Sequence, residues 1–307
     1  MHSLSDYCKE TFGEKVYRLS LDGGMTCPNR DGTLSTGGCA FCSQNGSGDF
    51  AALPNGSVTK QLEEAKKRIA QKTACKKYIA YFQSFTNTYA PVSYLRGLFQ
   101  EAIDTPDVVA LSIGTRSDCL PPEVLDLLQE LSLQKPVWVE LGFQTMHDET
   151  HRRLNTMSNL ATFHAAVHAL QERNIPVVAH LILGLPGETT EMMLQSVKHI
   201  ASLPIWGVKL QMLHVLEGTA LGAIYQKEPF PVFTMEEYCE LIIDCLELLS
   251  PDQVIHRITG DGPRKLLIAP GWSTDKKRIL NTIHRRMKER KTYQGRLYQP
   301  QQVYRSY

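Results

Sequence analysis

The chain has 307 residues, 42% of them apolar, which is enough to bury a full core without disulfides or a partner. Its 33 Lys and Arg against 32 Asp and Glu leave a net charge of +1, so overall charge gives no case for a polyanionic partner. No run of about eighteen apolar residues occurs, and the opening MHSLSDYCKE lacks the basic-then-apolar order of a secretory signal, so a cytoplasmic protein without a membrane partner is expected.

The first predicted strand, 15–21, runs straight into LDGGMTCPNRDGTLSTGGCAFCSQ, where Cys27, Cys39 and Cys42 stand in the spacing C-x11-C-x2-C. Its glycines permit the positive φ and close backbone approach that a loop around inorganic sulfide needs. A ferredoxin-type carrier saturates every iron with cysteine, and a structural zinc site closes its tetrahedron. This loop carries no fourth ligand. Three thiolates with one open position suit a catalytic cluster; the alternative is a zinc-stapled RNA-binding module without catalysis.

A helix at 58–71 and a strand at 77–82 follow, the latter ending in a polar stretch with Gln83, Ser84 and Thr86, which contacts ligand or simply begins a solvated loop. After a helix at 92–102, strand 108–113 leads into Arg116 and Asp118: a cation able to take a carboxylate in two-pronged fashion and an anion able to hold it. A helix at 122–133 precedes strand 137–143, in which Glu140 interrupts a buried run and so needs an ionic partner or a ligand; Gln144 stands at the strand end. Next come a helix at 160–173, a strand at 177–183 that opens on the glycine turn of Gly184 and Gly187, a helix at 191–203, and a strand at 208–213 leading to His214. The remainder holds a long helix at 235–249, a strand at 254–259, the polar turn of Asp261, and a basic helix at 275–290. Between 276 and 296 there are nine Lys or Arg and one acid, Glu289. That helix either steers RNA phosphates or presents a solvated face.

Strands alternating with helices predict parallel pairing through right-handed crossovers and an α/β fold, either a doubly wound sheet or a partial barrel. We expect a core over 1–213, with a cluster loop at 22–48, and a C-terminal α/β extension over 214–307 that caps the core as part of one structural unit and contacts substrate.

The ending Cys39-Ala40-Phe41-Cys42, with an aromatic before the last cysteine, resembles the cluster loop of radical S-adenosylmethionine (SAM) enzymes. The long first gap, CPNRDG and GGCxFC resemble the bacterial YhcC/YtqA (MnmL-like) family, related to the Elp3-like group, over about 12–291. The gap departs from the commonest radical SAM spacing and matches this family's own. The resemblance implies a partial (β/α)6 TIM-type barrel and a [4Fe-4S] cluster on Cys27, Cys39 and Cys42. It also implies SAM bound through the open iron, a one-electron donor such as flavodoxin or ferredoxin, and hydrogen abstraction from substrate. It puts Gln83, Ser84 and Thr86 where relatives carry a GGE-like segment for the SAM amino group, and Glu140 and Gln144 near the ribose hydroxyls or Arg116. Arg152 falls in a stretch that reaches the SAM carboxylate, and Gly184 and Gly187 in the turn against adenine. His214, by its place at the strand end, either approaches adenine or substrate or is a satisfied structural histidine. Asp261 is assigned a substrate contact without a mechanism. The associated substrate is the C5 side chain of a wobble uridine in tRNA, with a small metabolite as the other enzymatic option; the oligomeric state stays open.

Overall fold

A computed structural model of the chain describes residues 1–46, 57–71, 75–260 and 262–300. The strands β1 (Val16–Leu21), β2 (Lys77–Phe82), β3 (Val108–Thr115), β4 (Val137–Gln144), β5 (Val177–Leu183) and β6 (Gly207–Met212) pair in parallel, each with the next. Side chains in a strand alternate between faces, and here the two faces are buried in different places. The outward set, including Leu19, Phe82, Ile113, Leu141 and Leu181, joins the main core beneath the helices. Those helices are α2 (Val58–Ala70), α3 (Val92–Asp104), α4 (Pro122–Ser132), α5 (Asp148–Arg153), α6 (Leu160–Gln171) and α7 (Thr190–Ser202).

The inward set is layered. Ile79, Ala110, Trp138 and Val178 form a separate apolar cluster with Cys8 of α1 (Leu4–Phe12), and Tyr7 and Trp206 pack against it. One helix thus plugs the barrel at the strand N-terminal ends. Two residues further along the strands the inward positions turn polar: Tyr81, Ser112, Glu140, His180 and, on β6, Lys209. Beyond these come Gln83, Gly114, Gly142 and Gln211, which line an open cavity. The sheet curls into a partial barrel, one of the two architectures that the alternation allows and the one that the resemblance implies.

After β6 the chain adds β7 (Val215–Leu216), α8 (Ala220–Lys227), α9 (Met235–Leu248), β8 (Val254–Arg257), β9 (Leu267–Ala269), a 3-10 turn at Gly271–Thr274, and α10 (Lys276–Glu289). The strand at 254–257 pairs with β6 in parallel and gives the sheet a seventh strand, in the order β1-β2-β3-β4-β5-β6-β8. The sequence pattern leaves it outside the six-strand repeat, because a short strand and two helices, α8 and α9, stand between it and β6 in place of a single crossover helix. α9 begins with a reciprocal cap between Thr234 and Glu237 and packs against α7 and α10. Among the described residues no helix is long and apolar enough to cross a membrane.

Candidate active site

The loop after β1 is built from two tight turns, each led by a cysteine: Arg30 N donates to Cys27 O (2.8 Å) and Cys42 N to Cys39 O (3.0 Å). Gly38 adopts φ +71°, and a Cβ there would come 2.9 Å from the Arg30 guanidine, so both the backbone and the packing require glycine. Arg30 in turn donates to the carbonyls of Cys42 (3.4 Å), Ser43 and Gln44 (3.1 Å), fixing the loop's far arm. Asn29 Nδ2 donates to Asn155 O (2.7 Å) and to Cys39 Sγ (3.5 Å), and Asn155 Nδ2 to Gly38 O (2.9 Å).

Cys27, Cys39 and Cys42 all line one cavity of about 260 Å³ at the C-terminal ends of the strands. The Cys39 and Cys42 thiols are hydrogen-bonded to each other, and that contact, with burial, pushes the Cys39 thiol well up. The donor set fits an iron–sulfur cluster with one uncommitted iron: three soft ligands, an amide N–H on one sulfur, and no fourth cysteine on the cavity wall among the described residues. Among those residues no three His, Cys, Asp or Glu side chains meet at a single ion position. Cysteines that each take a different corner of a cubane need not converge as the ligands of one zinc ion must.

Arg116 reaches the cavity at the end of β3. Its Nε and Nη2 hold Asp118 (2.8 and 2.7 Å), while Nη1 and Nη2 donate to Thr156 O and Met157 O (both 2.8 Å). Asp118 therefore orients Arg116 and does not itself line the cavity. Gln83, Thr86 and Gln144 line it too, Gln144 at φ +63° and Gln83 accepting from Ser20 Oγ (3.1 Å). Ser84 is buried behind them, its Oγ without a hydrogen-bond partner. His214 forms part of the wall, pressed against Gly260 and Gly262; a Cβ on Gly260 would lie 1.9 Å from its ring. Asp261 lies outside the described residues.

Besides Ser84 and Asp118, three expected contacts, Arg152, Gly184 and Gly187, stand off the cavity wall. Arg152 projects into solvent from α5 and pairs with Glu149 (2.6 Å), while its neighbour Arg153 lies over the turn after β5 and donates to Pro186 O (2.7 Å). Gly187 is covered by that same Arg153, and Gly184 backs onto Phe233, so neither glycine lines the cavity; their φ of +81° and +88° shape the turn. Glu140 lines the cavity, where it was expected, but its partner is not Arg116. Its carboxylate takes hydrogen bonds from Lys209, from His180 Nε2 (2.7 Å) and from Ser112 Oγ (2.8 Å), with Arg18 at 3.6 Å. Burial alone would raise Glu140, but Lys209 and then His180 and Arg18 hold it well below the usual carboxylate range.

Tyr81, His180, Lys209, Gln211 and Arg257 also line the cavity, and sequence reasoning missed all five. The signal was available. A lysine in GVKLQM, a histidine in VVAHLIL and an arginine in VIHR each interrupt a run that a parallel sheet buries on both faces, as Glu140 does.

Burial, with Lys209, brings His180 down to about 4, and burial, with Arg257, brings His214 to about 4 as well. Both are neutral in the fold, below the ordinary value of 6.5. Above that value they add nothing to the pH dependence. As pH falls below it the unfolded chain binds protons that the folded chain refuses, and stability is lost down to the folded values. Melting temperature is thus expected to fall between about pH 7 and about pH 5, before most carboxylates titrate. A His180→Gln, His214→Gln double variant, followed by circular dichroism, should show a shallower decline.

A family model described as the Radical SAM superfamily matches residues 31–200, and one described as a Radical_SAM C-terminal domain matches 205–289. The chain is 43% identical over 298 residues to YtqA of Bacillus subtilis (strain 168), covering 97% of this chain and 92% of that protein. It is 36% identical over 262 residues to YhcC of Escherichia coli (strain K12), covering 85% and 84%. A tRNA uridine(34) acetyltransferase of Methanocaldococcus infernus is 26% identical over 163 residues, 52% of this chain and 30% of that one. In three dimensions, archaeal Elp3 from Methanocaldococcus infernus superposes with a TM-score of 0.65 at 17% identity, covering 91% of this chain and 64% of that chain.

Proposed function

This chain belongs to the radical SAM superfamily, and on that premise we propose that it is a tRNA-modifying radical SAM enzyme acting on the C5 side chain of a wobble uridine. When bound, a [4Fe-4S] cluster and SAM supply a 5′-deoxyadenosyl radical that removes hydrogen from a substrate carbon. The chain's own residues supply the rest. Cys27, Cys39 and Cys42 would hold the cluster. Arg116, fixed on three sides, offers a cation at the rim for a carboxylate, while Gln83, Thr86 and Gln144 offer amides and a hydroxyl to SAM. The apolar plug beneath the barrel closes the cavity floor and keeps water from entering there.

The observation that carries the reading is that the three cysteines, Arg116 and the polar interior of the barrel share one cavity. Two further facts favour RNA. The similarity to a tRNA uridine(34) acetyltransferase spans about half of this chain. The basic helix α10 also starts within electrostatic reach of the cavity: the charge of Lys276, its first residue, acts on His214 and Arg257, both wall residues. Further along α10, Lys277, Arg278 and Lys288 are exposed, while Arg286 and Arg290 are taken up by Glu240 and Asp244.

The test is to compare modified nucleosides in tRNA from cells with and without the gene. A changed wobble uridine supports the proposal, and an unchanged one sinks it. A narrower prediction concerns the helix: Lys277→Ala with Lys288→Ala is expected to weaken tRNA retention and to lower the salt slope by about 1 for each phosphate no longer neutralised. Filter binding across a salt series measures both; a salt-insensitive association would point to a small-molecule substrate instead.

A further inference from the structure

Below the rim of the cavity, Tyr81 is 5% exposed, and that small exposure belongs to a side chain on the cavity wall. Its hydroxyl accepts from Lys209 Nζ at 3.1 Å and is in reach of the Glu140 carboxylate as an acceptor, and the Lys209 ammonium lies 4.4 Å from its ring centroid with the Arg18 guanidinium at 5.5 Å. A Cβ on Gly114, itself a wall residue, would stand 3.7 Å from the same hydroxyl, so glycine there leaves open the space beside the phenol oxygen. Glu140, held by Lys209, His180 and Ser112, fixes the lysine in turn. The phenol is thereby fixed in one orientation at the boundary between the protein interior and the space where substrate must sit.

We propose that Tyr81 is a catalytic residue that returns a hydrogen atom to the substrate radical, with Lys209 and Glu140 as its positioning residues; this rests on the radical reaction proposed above. The argument is one of bond strengths. With the three thiols committed to the cluster, the Tyr81 O–H is the only heteroatom–hydrogen bond among the described wall residues weaker than an aliphatic C–H bond. The hydroxyls of Ser and Thr, the amides of Gln and the N–H bonds of Lys, Arg and His are all too strong to yield hydrogen to a carbon radical. In the step, the phenolic O–H breaks homolytically, a C–H bond forms on substrate, and a tyrosyl radical remains. One electron from a flavodoxin- or ferredoxin-class donor reduces it to tyrosinate. The Lys209 ammonium then returns the proton and recovers its own from solvent through the cavity.

The experiment incubates reconstituted wild-type enzyme and Tyr81→Phe with SAM, a chemical reductant and total tRNA from a strain lacking the gene, in D2O. Wild type is expected to place one solvent deuterium in each product nucleoside and to give, on freeze-quenching, a radical signal that narrows when the enzyme carries ring-deuterated tyrosine. Tyr81→Phe is expected to release 5′-deoxyadenosine within ~3-fold of wild type while product per 5′-deoxyadenosine falls ~10-fold or more. Wild-type product free of solvent deuterium overturns the proposal, and so does a Tyr81→Phe enzyme with undiminished, deuterated product. The deuterium and ring-label measurements use the native residue and stand even where the variant folds poorly. No 5′-deoxyadenosine from wild type would instead remove the radical reading itself, and this step with it.

Discussion

Alanine at Cys27, Cys39 or Cys42 is expected to bring SAM cleavage below detection while leaving the barrel folded. Each thiol lines the same cavity, and no other cysteine among the described residues reaches it to serve as a substitute. Loss of one anchor frees a second iron, so the cluster is no longer held with a single open corner. The fold should survive because the loop is held by groups other than the thiols, including the Arg30 hydrogen bonds to three carbonyls and the Asn29 and Asn155 pair. Iron and acid-labile sulfide content after reconstitution, 5′-deoxyadenosine release, and the melting temperature of the cofactor-free protein together check this. A variant that keeps full sulfide content and turnover would show that the loop is not the cluster site.

The second large effect concerns stability. Lys209→Met is expected to cost about 3–5 kcal/mol, because it leaves the Glu140 carboxylate buried without its closest cation. Arg18, at 3.6 Å, offsets part of the loss and favours the lower end of that range. Adding Glu140→Gln to Lys209→Met should recover much of it, since the charge that lacked a partner is gone. Urea denaturation of the two single variants and the double variant gives the coupling directly. Strictly additive losses would mean that the pair does not act as a unit.

What the sequence makes legible divides between that loop and that interior. The cysteine loop was legible because its chemistry lies in residue type and spacing within a single segment. The six strands were legible because apolar runs alternate with amphipathic helices at regular intervals. The charged interior was not, since Arg18, Tyr81, Glu140, His180 and Lys209 come from five strands and meet only once the sheet curls. Glu140 stands out in the sequence as a costly buried acid, yet the partner that a local reading offers it is Arg116, just past the end of the neighbouring strand. The structure pairs Glu140 with a lysine across the barrel instead, and the gap between 140 and 209 hides that pairing from any local pattern. Arg152 and Arg153 illustrate a finer limit: adjacent helical residues point about 100° apart, and sequence alone did not decide which one reached the turn after β5.

The ties on the cysteine loop also bear on how the protein is made. Asn29 meets its partner 126 positions later in the chain, Asn155 reaches back 117 to Gly38, and Leu221 N donates to Ala40 O at 2.8 Å. On a ribosome the cysteine segment therefore emerges before the residues that tie it down, and its full set of hydrogen bonds forms only once Leu221 has been made. Should the loop take the proposed cluster, a truncation ahead of residue 155 would carry all three loop cysteines yet lack the Asn155 ties that frame them.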